Sequence, residues 1–183
     1  GNSKVADLEF ARARYEVAAT GRPDLAARAE ATRCAVRVAS LELDDCAGMA
    51  TPGVDAGPAE AAYVDYLRGR GQTLDSRRLA LLPEQHRQFV GLRDDGARLA
   101  TLASVPDPLA RLIAAGVLLQ QGLLPPAGAD LAVNAASEQG WRRPLLAWLG
   151  VQLKRAEAGN DLEAKARVQR RIDLARTGAP GSQ

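Results

Sequence analysis

The sequence predicts an all-α protein assembled from antiparallel helical hairpins, and three observations carry that reading. Ala and Leu dominate a chain of 183 residues in which aromatic residues make up only 4%. Both lose little side-chain entropy in a helix, whereas strands favour the β-branched and aromatic types that are scarce here. Helix-start and helix-stop signals then recur at short intervals along the chain. Finally, 46% hydrophobic and 25% charged residues are the composition of a folded chain, enough for one domain or two small helical subdomains sharing a core.

The elements follow in order. Ser3 caps a first helix to about Thr20, with Val5, Leu8, Ala11, Tyr15 and Ala18 on one face. Gly21 ends it, and Pro23 opens a second helix whose first-turn Asp24 suits the positive end of the dipole. Leu25, Ala29, Cys34, Val38 and Leu41 continue at mostly helical spacing, and the short link makes residues 1–46 an N-terminal helical hairpin. Residues 47–58, with Gly48, Pro52, Gly53, Gly57 and Pro58, read as a flexible Gly/Pro loop. Residues 59–176 form the helical core. Its first helix reaches about Arg70 and carries Tyr63, Tyr66 and Leu67 before Gly69 and Gly71 break it. Asp75 caps a short helix, and Pro83 starts a longer one to about Ala103, divided by Gly91 and Gly96.

Asp107-Pro108 is a cap followed by a first-turn proline. The helix it opens, to Gln121, is apolar on nearly all sides, which places it at the centre of the core. Gly122 and Pro125-Pro126 terminate it. Helices over 129–139, 144–158 and 161–176 follow, separated by turns at Gly140 and Gly159, and 177–183 is a frayed tail.

Cys34 and Cys46 are the two cysteines of the chain. A continuous helix across both would hold their Cα atoms about 18 Å apart, while a disulfide needs roughly 6 Å. A bridge therefore requires the helix to stop near Ser40 and the chain from Leu43 to Cys46 to fold back; otherwise both are buried free thiols. With no His or Cys nearby they form no zinc site.

Charge excludes several classes. The 24 basic and 22 acidic residues are interleaved, unlike the one-sided basic face of a nucleic-acid binder. Arg167, Arg170 and Arg171 share their helix with Glu163 and Asp173 and read as a solvated face. Arg outnumbers Lys 21 to 3, which reads as genome composition rather than arginine chemistry. The most apolar stretch, Leu109 to Leu124, is interrupted by Arg111, Gly116, Gln120 and Gln121, so no membrane span is expected. His86 has no partner at helical spacing and reads as a surface or partly buried structural residue. Asp44-Asp45 and Asp94-Asp95 diverge as neighbours and read as helix-end or loop charge. No nucleophile-elbow, zincin or phosphate-loop motif occurs, so no catalytic residue, metal or cofactor is expected.

Residues Ala135 to Gly140, then Leu145, Leu146, Trp148, Leu149 and Gly150, then Ala156, Gly159, Ala164 and Val168, resemble the tetratricopeptide and Sel1-like helical-repeat families. Sel1-like repeats close on an Ala-Ala phrase leading to Gly and open the next helix with Leu-Gly, matched by Leu149-Gly150 with an offset of one residue. Gly159 followed by Ala164 follows the tetratricopeptide spacing, and Gly21 with Ala26 echoes it. Small residues there let antiparallel helices approach closely. The resemblance lies mainly in residues 129–176, and the middle third departs from it. It implies a right-handed tetratricopeptide-like array whose concave face takes a peptide or helix. The residues by themselves equally fit an irregular helical bundle.

Two candidate contact patches follow. Trp141, Arg142 and Arg143 form a turn rich in hot-spot residue types, with an inter-helix wedge as the other role for Trp141. Tyr63 and Tyr66 share a helix face near Arg68 and Arg70, with core packing as the other role for one of the tyrosines. The expected function is a non-catalytic adaptor or scaffold that binds a protein partner; the alternative is an inhibitor or immunity protein that blocks an effector enzyme, presenting 47–58 or 69–75 as a protruding segment. The opening Gly1-Asn2-Ser3 resembles the residues that follow the lipidated Cys of bacterial lipoproteins, or is left over from cloning. With the cysteine pair it suggests a periplasmic, outer-membrane-anchored lipoprotein of a secretion, pilus or envelope-assembly complex.

Overall fold

The computed structural model describes residues 3–50 and 55–177, apart from the side chains of 3, 4 and 6. These residues are all-helical, with no strand among them. They form α1 (Ser3–Ala19), α2 (Pro23–Ala39), α3 (Pro58–Leu67), α4 (Ser76–Ala80), α5 (Glu84–Arg87), α6 (Asp95–Ser104), α7 (Pro108–Gln120), α8 (Gly128–Glu138), α9 (Arg142–Ala158) and α10 (Leu162–Thr177).

The apolar helix of the middle is the hub. α7 packs against α2, α3, α5, α6 and α8, and its Leu112, Ala114 and Ala115 are completely buried. A helix apolar all round can satisfy that composition only at the centre. Its crossing with α2 depends on Gly116: a Cβ there would lie 2.6 Å from the Val38 carbonyl oxygen. On one side α8, α9 and α10 follow, each packed on the one before, and on the other α1 lies along α2. Trp148 of α9, completely buried, ties the halves together by donating its indole N–H to the Ala39 carbonyl at 3.0 Å. That carbonyl is at the last residue of α2 and would otherwise lack an intrahelical partner.

One termination geometry recurs. After α2, Glu42 N–H reaches the Arg37 carbonyl and Leu41 N–H the Val38 carbonyl, with Leu41 at φ +58°. This is the left-handed helix stop in which glycine is usual, since a Cβ makes that conformation costly. The same pair of bonds closes α7 at Gly122 and α8 at Gly140. At the end of α9 the left-handed residue is Asn160, one position after the expected Gly159. The stop after Ala39 is what brings the two cysteines together: Cys34 and Cys46 are joined, with Cα atoms 5.1 Å apart.

Other boundaries shift for local reasons. The helix expected from Pro83 to Ala103 is two, a single turn α5 and then α6, with Gly91 at φ +88° between them. Asp94, one of the acidic neighbours, caps α6 by accepting from Ala97 N–H. α9 starts at Arg142, so Pro144 lies within its first turn rather than at its head. Within 47–58, residues Ala47–Met49 form a 3₁₀ turn with Met49 buried, and 51–54 fall outside the described residues. Thr177 completes α10 instead of opening a tail, and 178–183 fall outside. So do the Ser3 cap and the Gly1-Asn2 opening.

Arginine does specific work that composition did not reveal. Arg98, nearly buried, donates from Nε and Nη2 to the Leu92 carbonyl. Arg111 grips the Val105 carbonyl in the same way, Arg87 the Ala80 and Leu82 carbonyls, and Arg155 those of Leu124, Pro125 and Pro126. Each fastens an irregular connection whose carbonyls lack a ladder. A planar fork of several donors suits this; an ammonium does not offer it.

Candidate protein-binding site

Three helix ends converge beside the buried Trp148. The end of α2 brings Val36, Ala39 and Ser40; the start of α7 brings Leu109 and Leu112; the turn into α9 brings residues 140–144. Together they line an open cavity of about 380 Å³ with mainly apolar walls, within the usual size range of ligand sites.

The turn residues are placed by backbone hydrogen bonds. Gly140, at φ +65°, reverses the chain, and Trp141 N–H donates to the Ala136 carbonyl at 2.9 Å. Trp141 is therefore half-buried, packed on the core as it walls the cavity. Arg142 donates to the carbonyl of Arg176 in the last turn of α10, a favourable place for a cation at the negative end of a helix. Among the described residues it pairs with no carboxylate within 4.0 Å. Arg143 pairs with Glu42, which the stop after α2 holds in place. Arg37 lies 3.7 Å from the same Glu42 and 3.1 Å from Asp44. The first turn of α9 has no acidic residue and Trp141 gives it no side-chain cap, so this helix start stays electropositive.

The two tyrosines pack inward. The spacing of Tyr63 and Tyr66 does place them on one face, but that face turns inward onto α5. Tyr66 is 2% exposed and Tyr63 half-buried. The His86 ring stacks on Tyr63 at 5.6 Å and lies 5.1 Å from Tyr66, with Tyr63 Oη 3.5 Å from His86 Nε2. Burial raises both phenols above their ordinary value. It lowers His86 to about 4, against the opposing pull of Asp107. Among the described residues the Tyr66 hydroxyl and His86 Nδ1 have no hydrogen-bond partner. His86 is thus a core residue and not a surface one. Its partners sit on another helix, a juxtaposition that helical spacing cannot reveal. Arg68 and Arg70 turn instead to Asp45, at 3.5 and 3.4 Å.

Two other concavities are less suited to recognition. The groove between α1 and α2, about 610 Å³, holds Glu30 against Arg14 at 3.1 Å. The groove beside α10, about 870 Å³, includes Arg155, already committed to three carbonyls. Among the described residues there is no cluster of three metal-binding side chains, and no helix is long and apolar enough to cross a membrane. Comparison with protein-family models, curated proteins and solved structures finds no match to this chain.

Proposed function

We propose that the chain is a non-catalytic adaptor or scaffold that binds a protein partner through the 140–144 turn. The observation that carries this reading is the cavity at the three helix ends, where Trp141 walls an apolar site and Arg142 and Arg143 stand at the start of α9. Trp and Arg contribute disproportionately to interface energetics when they border a desolvated pocket. The successive packing of α7, α8, α9 and α10 supports a helical-repeat-like scaffold for it. The inhibitor alternative looked to 47–58 or 69–75 as a protruding segment, and residues 51–54 of the first lie outside the described residues. At 69–75 Gly71 and Leu74 are buried and Gln121 donates to the Gly69 carbonyl at 2.8 Å, which speaks against that segment as a protrusion.

The disulfide between Cys34 and Cys46 is compatible with an oxidising compartment, and we place the protein in the periplasm of a bacterial envelope, anchored as a lipoprotein. Alkylation of thiols in intact cells, with and without prior reduction, tests the compartment; labelling with a fatty-acid analogue tests the anchor. For the adaptor, the full chain is cross-linked in envelope extract and the complex rebuilt from purified components. We expect a 1:1 complex that weakens at least tenfold in the Arg142→Ala, Arg143→Ala double variant at unchanged thermal stability. Failure to rebuild any complex defeats the adaptor reading, and an equally tight complex with the double variant defeats the patch.

A further inference from the structure

We infer that the outward face of α1 is a dimerisation surface, on which α1 of a second copy of this chain lies antiparallel about a twofold axis. The inference goes beyond the adaptor reading and uses none of the residues of the 140–144 turn.

The sequence marks Val5, Leu8, Ala11, Tyr15 and Ala18 as the apolar face of α1. The folded chain turns that face away from α2. What α1 half-buries is Phe10, with the Arg33 guanidinium 4.7 Å from its ring centroid, and Val17. All five residues of the apolar face are exposed, Leu8 by 67%, Tyr15 by 75% and Val5 by 52%. Leu8, Ala11, Tyr15 and Ala18 follow one another at intervals of three and four, the spacing of a seam against another helix. An apolar stripe on a helix is ordinarily the buried one, and among the described residues no helix covers this one.

The face is complementary to itself, which is what selects a second copy as the occupant. Large and small residues alternate along the seam, so an antiparallel copy sets Leu8 over Ala11 of its mate, and the twofold axis repeats the contact. A parallel copy would instead set Leu8 on Leu8 and Tyr15 on Tyr15 and hold the alanines apart. Asp7 and Arg14 each precede a seam residue by one position, so they share a flank of the helix. In the antiparallel register that flank meets its own twin, and Asp7 of each copy faces Arg14 of the other. Arg14 is largely exposed while it pairs with Glu30 at 3.1 Å, and a guanidinium fork can serve a second carboxylate. On the other flank the stem of Arg12 can cover Val5 of the second copy. Beside the seam, the groove between α1 and α2 is walled by Ala26 and Ala29 of α2. With Arg14 and Glu30 meeting there it gives a single side chain no socket, but its small residues let a helix lie close. Two α1–α2 hairpins then pack as a four-helix arrangement.

The test is sedimentation velocity of the whole protein from about 5 to about 500 µM, a range that spans weak association. We expect the dimer fraction to rise across it. The Leu8→Glu, Tyr15→Glu double variant changes two exposed side chains, so it should stay monomeric throughout with Tm within about 2 °C of the native chain. Asp7→Arg turns two attractions into repulsions and should weaken the dimer about fivefold or more. Orientation is read from spin-label distances in Glu9→Cys and Glu16→Cys, since the native cysteines are joined. In the antiparallel dimer the labels at 9 lie nearly opposite each other, and those at 16 are about 20 Å apart along the helix axis. A native chain that is monomeric at the highest concentration overturns the inference, as does a dimer that persists in the double variant. Equal label separations at 9 and 16 overturn the antiparallel arrangement, and an Asp7→Arg dimer of native strength overturns the charge pairing that selects it.

Discussion

Replacing Gly116 by alanine isolates the contact on which the packing of α7 against α2 depends. In an exposed helix interior the change is stabilising by about 1 kcal/mol, because alanine loses less backbone entropy. At Gly116 the new methyl meets the Val38 carbonyl oxygen at 2.6 Å and Val38 Cγ1 at 2.9 Å. The nearest obstacle is backbone, so relief requires moving α2. That helix is held by the disulfide at Cys34 and by the Trp148 hydrogen bond at Ala39. Overpacking costs about 1–3 kcal/mol, and an obstacle that cannot rotate away puts this site at the upper end. Subtracting the propensity gain leaves a net loss of about 2 kcal/mol. The internal control is Gly150 in α9, where an added Cβ meets nothing within 4 Å; Gly150→Ala should gain up to about 1 kcal/mol. The two variants are compared by urea unfolding followed by far-UV circular dichroism. A chain of this length shifts Tm by about 2–4 °C per kcal/mol, so Gly116→Ala should melt about 4–8 °C lower and Gly150→Ala about 2–4 °C higher. Equal effects of the same sign would refute the claim that a close approach, and not helix propensity, selects glycine at 116.

Three further outcomes are expected. His86 titrates near 4 when folded and near its ordinary 6.5 when unfolded, so the unfolded chain binds the extra proton between those values. Stability is therefore complete above pH 6.5 and declines as pH falls toward 4, by on the order of 3 kcal/mol. Melting between pH 7 and 4.5 should show a shallower decline in His86→Phe; an unchanged slope assigns the acid sensitivity elsewhere. Trp148→Phe leaves the buried Ala39 carbonyl without its donor and should cost about 1–3 kcal/mol in denaturant unfolding; a change under about 0.5 kcal/mol would show that the bond adds nothing net. Replacing Cys34 and Cys46 together by Ser opens a loop of sequence separation 12 and should cost about 3 kcal/mol. The same loss should follow reduction of the native chain, and a reductant-insensitive Tm would contradict it.

What the sequence determined is mostly local. The all-α class, the order of helices and most of their ends are written in short-range chemistry. Asp107 followed by Pro108 starts α7, and Gly122 or Gly140 supplies the left-handed residue that stops a helix. The two cysteines made the end of α2 a condition for a bridge, because a continuous helix holds them too far apart, but left open whether they are joined. The apolar girth of α7 likewise announced its central position.

The tertiary structure decided which faces meet. Tyr63 and Tyr66 share a face in any helix, yet only packing turned that face onto His86. Leu41 occupies a left-handed position that nothing in its side chain favours; the Schellman hydrogen bonds and the nearby disulfide hold it there. The arginine clasps were invisible for the same reason. A guanidinium reaches a carbonyl six residues away as in Arg98 to Leu92, or thirty as in Arg155 to Pro125, and no spacing rule records that reach. The cavity combines residues 36–40, 109–112 and 140–144. Its Trp141-Arg142-Arg143 segment was legible as a run of hot-spot residue types. Its apolar walls were not, because they come from two other helices brought alongside by the burial of α7 and the Trp148 bond. Local chemistry acts over a turn or two of chain, whereas a binding site is a property of surfaces that only the folded packing brings together.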